Sequence, residues 1–264
     1  MHPEFLRLGW FTLHTYGVLV ALAFLAGLHV AGKLAVRSSL DPDAVSSVGI
    51  YAAIAGIVGA KLFLILNDWD YYRQNPGQIL SLSTLQAGGV FFGGLLVALA
   101  VAVWQLRRRD LDPLATADCL APAAALGHAI GRLGCFLAGC CWGRPSSLPW
   151  AVTFTDPAAN NLVGVPLGVA LHPTQLYESA AEAVIFAVLW RRFSRPRPRG
   201  SILALYLLLY PGFRFAVEFL RDPTGRNFPF GWMLSSTQWV ALALVVWGAY
   251  LLVRPPRAPI GRQP

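Results

Sequence analysis

Charge is scarce in this chain. Asp, Glu, Lys and Arg make up 13% of the 264 residues, about half the share of a soluble globular domain. A hydrophobic fraction of 56% and a mean hydropathy of +0.53 stand in place of the missing polar surface. That balance excludes a soluble fold. Other absences narrow the reading further. No basic stretch precedes the first apolar run and no cleavage site of small residues follows it, so the run reads as a retained helix and not as a removed signal peptide. No linker divides the sequence, which reads as a single domain over 1–264. No internal repeat is visible, which argues against a transporter built from repeated halves around a midplane site. The cysteines have no second ligand pair at metal-binding spacing, so neither a metal nor a cofactor is expected.

What is present is a series of apolar runs near 12–34, 46–67, 88–106, 114–137, 173–190, 201–220 and 233–253. Each approaches the roughly 17 to 25 residues that a helix needs to cross a bilayer. The expected fold is an all-α membrane protein of seven transmembrane helices. The net charge of +8 might suggest nucleic acid, but the positions of the basic residues exclude it. Lys33 and Arg37 follow the first run, Arg107, Arg108 and Arg109 the third, Arg191, Arg192, Arg195, Arg197 and Arg199 the fifth, and Arg254, Arg257 and Arg262 the seventh. By the positive-inside rule the N-terminus is outside and the C-terminus cytoplasmic, and the basic clusters serve as anchors at anionic head groups.

With that orientation the polar residues inside the runs gather toward the outer leaflet: His14 and Tyr16, Lys61, His128 and Arg132, Gln175, Tyr177 and Glu178, and then Tyr210, Arg214 and Glu218. A charge at membrane depth costs roughly 2.5 kcal/mol or more, so such residues face the bundle interior and mark a site. Arg214 and Glu218, four residues apart, can also be a structural pair on one helix face. Asp118 and Glu182 read as structural or near-interface residues, and His29 as a packing residue. Two buried arginines beside tyrosines suit a phosphate-bearing anion, because guanidinium binds phosphate through a planar fork and keeps its charge when desolvated. In an outer leaflet that ligand is a phospholipid. Gly88, Gly89, Gly93 and Gly94 bracket the start of the third run, where small residues admit either a neighbouring helix or a ligand. The segment 138–172 is too polar and too rich in Pro and Gly to span, and reads as a head lobe over the outer mouth. Cys135 can bridge to Cys140 or Cys141, while Cys119 packs as a small apolar residue.

Several motifs carry a resemblance to a known family: His14-Thr15-Tyr16-Gly17, Gly59-Ala60-Lys61-Leu62-Phe63, Gly131-Arg132-Leu133-Gly134-Cys135-Phe136 with Gly139 and Trp142-Gly143-Arg144, and His172-Pro173-Thr174-Gln175-Leu176-Tyr177-Glu178. The sixth run adds Tyr210, Phe213-Arg214-Phe215, Glu218-Phe219 and Arg221. In this order they resemble the prolipoprotein diacylglyceryl transferases over nearly the whole chain. The resemblance implies transfer of the diacylglyceryl group of phosphatidylglycerol to the lipobox cysteine of a preprolipoprotein, forming a thioether, in a bacterial inner membrane. A monomer is expected because nothing in the sequence demands a partner. Arg132 and Arg214 would bind phosphate, Glu218 would orient Arg214, and His128 would assist the thiol. Tyr16 and Tyr210 would line the pocket, Gln175, Tyr177 and Glu178 would hold the loop admitting the peptide, and His14, Gly93, Gly94, Gly143 and Arg221 would complete the substrate contacts. The chain departs from the family pattern at Phe92, where a His or Tyr is usual, at Cys135, where an Asn is usual, and at Ala138 and Cys140. Two readings of those departures stay open: retained transferase chemistry, or a branch that acts on another acceptor or only binds lipid.

Overall fold

A computed structural model describes residues 2–8, 11–81, 84, 89–224, 226–229 and 233–254. Gly88, Arg257 and Arg262 lie outside the described residues. In chain order the helices are α1 (Thr15–Arg37), α2 (Pro42–Asn67), α3 (Trp69–Gln74), α4 (Phe91–Arg108), α5 (Pro113–Ala138), α6 (Pro157–Val163), α7 (Thr174–Phe193), α8 (Ser201–Val217) and α9 (Ser236–Val253). The chain forms two compact units, Gly32–Thr116 and a larger one of Met1–Ala31 with Ala117–Pro264.

Among the described residues six helices are long and apolar enough to cross a membrane: α1, α2, α4, α5, α8 with the 3-10 turn that continues it to Leu220, and α9. Their exposed faces carry large apolar side chains, such as Ile54, Ile57 and Val58 on α2, Leu96 and Leu99 on α4, and Val246 and Tyr250 on α9. A contiguous surface of that kind suits lipid and not water. The expected fifth span forms as α7, 20 residues long, but is not one of the six. The reason is its polar content: Gln175, Glu178 and Glu182 all lie in it and all are fully buried.

In the smaller unit, α2 and α4 run antiparallel, with glycines of each helix packed against the other. A Cβ on Gly94 would stand 2.7 Å from the Gly56 carbonyl oxygen, and one on Gly93 would collide with the Phe63 ring. Small residues here let two backbones approach closely, the packing expected of membrane helices. Lys61 Nζ donates to the Thr84 carbonyl at 2.8 Å.

The larger unit opens with a hairpin absent from the all-α expectation, β1 (Glu4–Leu8) paired antiparallel with β2 (Phe11–His14). It delays the start of α1 to Thr15. The segment between α5 and α7 folds around its own small core. β3 (Val152–Thr153) pairs with β4 (Ala170–Leu171), Asp156 caps α6 by accepting from Ala158 N, and Phe154, Ala159, Val165 and Leu171 pack together. Its Pro and Gly content thus makes turns around a buried cluster. His29 is exposed on α1, so it is not the packing residue expected.

The start of α8 shows how a buried charge is used for structure. Gly200 is its N-cap, in the left-handed region at φ 84°, and has no side chain to offer. Asp118 on α5 supplies the acceptors instead: Oδ2 takes Gly200 N at 2.8 Å, and Oδ1 takes Ile202 N at 3.0 Å and Leu203 N at 2.8 Å. These N–H groups would otherwise be orphans of the first turn. Asp118→Ala is therefore expected to lower stability by about 1–3 kcal/mol, read as a lower denaturation midpoint in detergent, with Asp118→Asn losing less. An unchanged midpoint in Asp118→Ala would remove the capping role.

Candidate active site

Three helices of the larger unit each present polar side chains one turn apart. α5 carries His128 and Arg132, α7 carries Glu178 and Glu182, and α8 carries Tyr206, Tyr210 and Arg214, with Glu218 opening the 3-10 turn that follows. Residues four apart share a helix face, so α5 and α7 meet as a two-rung ladder. His128 Nδ1 lies 2.7 Å from Glu182 Oε1, and Arg132 Nη2 donates to Glu178 Oε2 at 2.5 Å. Tyr206 closes the first rung by donating its hydroxyl to Glu182 at 3.2 Å.

Glu178 is the hub. It is 0% exposed and has three guanidiniums around it: Arg132, Arg214 with Nε 3.8 Å away, and Arg221 with Nη1 3.7 Å away. Each attraction near 4 Å amounts to about 4 kcal/mol at an effective dielectric of 20. Burying a charge at membrane depth costs roughly 2.5 kcal/mol or more, and here the three arginines are largely buried as well, so the attractions are set against the desolvation of four charges. Glu218 is the second carboxylate. It is held by Arg214, by Arg226 and by the Ser235 hydroxyl, which donates to Oε1 at 2.7 Å. Ser235 also caps α9 in a capping box with Gln238, so the same residue starts a helix and anchors the cluster. Burial pulls the Arg226 guanidinium down in pKa, and the Glu218 carboxylate opposes that shift; an arginine remains cationic regardless.

The charge count decides what this arrangement can do. Arg132, Arg214, Arg221 and Arg226 stand against Glu178 and Glu218, leaving two positive charges in excess. Arg132 Nε is buried and has no hydrogen-bond partner among the described residues, which leaves a donor in reserve at a site already rich in them. An anion with several acceptor oxygens matches both features.

The residues expected from the sequence fall into distinct groups. Arg132, Arg214, Glu218, Glu178 and Arg221 are brought into one cluster, and Tyr210 sits beside it, its ring edge-on to His128 at 4.9 Å and stacked on Tyr206 at 5.8 Å. Tyr16 packs against the same helix: a Cβ on Gly134 would stand 3.2 Å from its ring. Gln175 and Tyr177 hold backbone and lobe in place. Gln175 Nε2 donates to the Cys140 carbonyl at 2.6 Å, and the Tyr177 hydroxyl accepts from Trp150 Nε1 at 2.8 Å and lies 3.3 Å from His172 Nδ1. Gly143 bridges to Arg221 through its backbone, and a Cβ there would stand 2.6 Å from the Leu220 carbonyl oxygen. It must be glycine for the strand segments to meet. His14 lines a cleft of about 260 Å³ with Pro3, Glu4, Ala158, Asn161 and Leu162, none of them a cluster residue. Gly93 and Gly94 belong to the α2–α4 contact. Asp118 is the helix cap described above. All four cysteines are free thiols.

Sequence reasoning missed Arg226, Ser235, Tyr206 and the partnership of Glu182 with His128. Ser235-x-x-Gln238 ahead of an apolar run is a capping-box signature, and Tyr206 lies four residues before Tyr210. Arg226 has no local signal.

A family model described as prolipoprotein diacylglyceryl transferase matches residues 3–254. The chain is similar to proteins named phosphatidylglycerol–prolipoprotein diacylglyceryl transferase from three organisms. It is 36% identical to that of Methylobacillus flagellatus over 96% of this chain and 97% of the relative. It is 34% identical to that of Bordetella avium over 99% and 97%, and 32% identical to that of Clostridium tetani over 95% and 96%.

The hub makes a stability prediction independent of any activity. Glu178→Ala leaves three guanidiniums facing one another and should destabilise the protein by about 3–5 kcal/mol, seen as a lower thermal midpoint in detergent. A midpoint unchanged within error would mean that the arginines are not held by that carboxylate.

Proposed function

The chain belongs to the prolipoprotein diacylglyceryl transferase family, and from that premise we propose that it moves the diacylglyceryl group of phosphatidylglycerol onto a lipobox cysteine thiol at the arginine cluster. The observation that carries the reading is the excess of two positive charges around Glu178 and Glu218. Phosphatidylglycerol brings one negative charge as a phosphodiester. The cysteine sulfur attacks the glycerol carbon that bears the phosphate ester, a C–S bond forms, and the C–O bond breaks with its electron pair on oxygen. The leaving glycerol phosphate is a dianion, so negative charge at the site grows during the reaction. Guanidiniums fixed in advance stabilise charge that develops in the transition state more than charge already present. Arg132 and Arg214 are assigned to the phosphate, with Glu178 and Glu218 orienting them, and Tyr16, Tyr210 and Arg221 lining the pocket.

The thiol proton needs an acceptor. Phe92, at the family's usual His or Tyr position, has none. His128 supplies one: with Nδ1 toward the Glu182 carboxylate, the ring keeps the Nε2 lone pair for a proton, the tautomer such a pairing selects. Gln175, Tyr177 and Gly143 keep the lobe in place for the peptide. His14, in its own cleft, is retained as a contact for the peptide and not for phosphate.

The membrane arrangement belongs to the same proposal. α7 crosses as a seventh span, with Glu178 facing arginines and Glu182 facing His128 and Tyr206 instead of lipid. The N-terminus and the lobe lie outside, the C-terminus is cytoplasmic, and the protein works as a monomer in a bacterial inner membrane. A peptide substrate that has already crossed the membrane meets the cluster from that side.

Reconstitution of the full chain with phosphatidylglycerol vesicles and a lipobox peptide, read by mass spectrometry, tests the chemistry. The peptide should gain the diacylglyceryl mass, and Arg132→Ala and Arg214→Ala should each lower kcat by about 10²- to 10³-fold. Unchanged lipidation in Arg214→Ala would sink its role. Lipid binding that depends on both arginines, with no mass gain by the wild-type chain, would move the reading to another acceptor or a binding protein. His128→Gln should lower kcat by about 10²- to 10⁴-fold. A variant that keeps the wild-type kcat would exclude His128 as the base.

A further inference from the structure

Cys135 lies in the last turn of α5, three residues after Arg132, while Cys140 and Cys141 follow the helix end. The three sulfurs lie within 4.8 Å of one another. Nothing in the transferase chemistry uses them. We propose that Cys135, Cys140 and Cys141 form a three-thiolate site for one soft, thiophilic metal ion, matched by coordination number to Cu(I). The proposal does not depend on the reaction assigned above.

The local backbone is built to converge the thiols. Gly139 and Cys141 are both in the left-handed region, at φ 82° and 65°, a conformation that glycine adopts freely and cysteine rarely. These two reversals turn the chain so that neighbours in sequence present their sulfurs to the same point as Cys135. The strained backbone is fastened from α7. Thr174 Oγ1 donates to the Cys141 carbonyl at 2.8 Å, Gln175 Nε2 donates to the Cys140 carbonyl at 2.6 Å, and Cys140 N donates to the Cys135 carbonyl at 3.1 Å. Thr174 and Gln175 are fully buried. The cluster is therefore held before any ligand arrives, as a preorganised site requires.

Geometry and number select the ligand. Three thiolates about 2.3 Å from one ion, at the corners of a triangle around it, lie about 4.0 Å apart, inside the observed limit of 4.8 Å. Among the described residues no fourth Cys, His, Asp or Glu joins the group. Thiolates favour both zinc and Cu(I), but structural zinc takes four protein ligands, whereas Cu(I) is satisfied by three. A disulfide is a poorer solution, since one bond among three thiols leaves the third unpaired and Cys140 and Cys141 are adjacent. Binding releases the thiol protons to solvent and needs no oxidant or reductant.

The test uses the full chain in detergent, fully reduced and kept anaerobic, titrated with Cu(I) held by a colorimetric Cu(I) chelator. One Cu(I) per chain should pass from chelator to protein, and Cys135→Ser, Cys140→Ser and Cys141→Ser should each weaken uptake by about tenfold or more, while Cys119→Ala binds as wild type. Because a serine variant can fail to fold, wild-type protein is also alkylated with and without Cu(I) and mapped by mass spectrometry. Cu(I) should protect Cys135, Cys140 and Cys141 together. No transfer of copper, protection of only one or two of the three, or full uptake by any one folded serine variant would overturn the proposal.

Discussion

Glu178 is a carboxylate buried on α7 with three arginines around it, and its position governs most of what surrounds it. A carboxylate that is 0% exposed can persist only where cations reach it, and they reach it from three places: Arg132 on α5, Arg214 on α8, and Arg221 beyond the end of α8. Those contacts fix the rotation of α5 about its axis, because Arg132 must face α7, and that in turn sets His128 against Glu182 one turn away. The same contacts place Arg221 beside Gly143, where the backbone bridge ties the lobe to the end of α8. Helices, lobe and cluster are thus solved by one electrostatic condition.

The cluster is not arranged for stability alone. Two carboxylates could neutralise two arginines, yet four arginines are present. The surplus is tolerable because each cation has at least one carboxylate within reach and because the rim is tied down by neutral donors. Ser235 is the clearest of these, giving its hydroxyl proton to Glu218 while accepting from Gln238 N at 3.3 Å. Removing Arg226 would bring the charges closer to balance but would leave Glu218 with a single guanidinium. The excess is better understood as stability given up for preorganisation toward an anion.

Much of the fold could be read from the sequence because membrane helices announce themselves by length and apolarity, and the observed ends differ from the expected runs by a few residues. α1 begins at Thr15 and not at 12 because the hairpin ends at His14. The pair Arg214 and Glu218 was visible because four-residue spacing is a local rule. Glu178 was visible as a polar residue in an apolar run, but its role was not, since which arginine meets it depends on the register of α7 against α5 and α8. Nothing local marks the contact of Arg226 with Glu218, and the capping-box pattern that opens at Ser235 gives no sign that its hydroxyl reaches Glu218. Gly93 and Gly94 could be helix packing or ligand contact by sequence, and only the approach of Gly56 and Phe63 shows the packing use. Asp118 reads as a stray charge until the capless start of α8 at Gly200 is seen beside it.

The ladder between α5 and α7 also bears on the departure at Phe92. Its two rungs have the same plan, a cationic or basic side chain of α5 against a glutamate of α7, but differ in what they leave over. The Arg132 rung belongs to a cluster with positive charge in surplus and suits an anion. The His128 rung is closed by Tyr206 on the carboxylate side, so its unused capacity is a ring nitrogen and suits a proton. One turn of helix, about 5.4 Å, separates the two functions. That is the scale on which a leaving phosphate and an attacking thiol must be handled together. Under the proposed chemistry, a base on the ladder is positioned by the same contacts that hold the arginine cluster, and a phenyl ring at Phe92 leaves that proton acceptor in place.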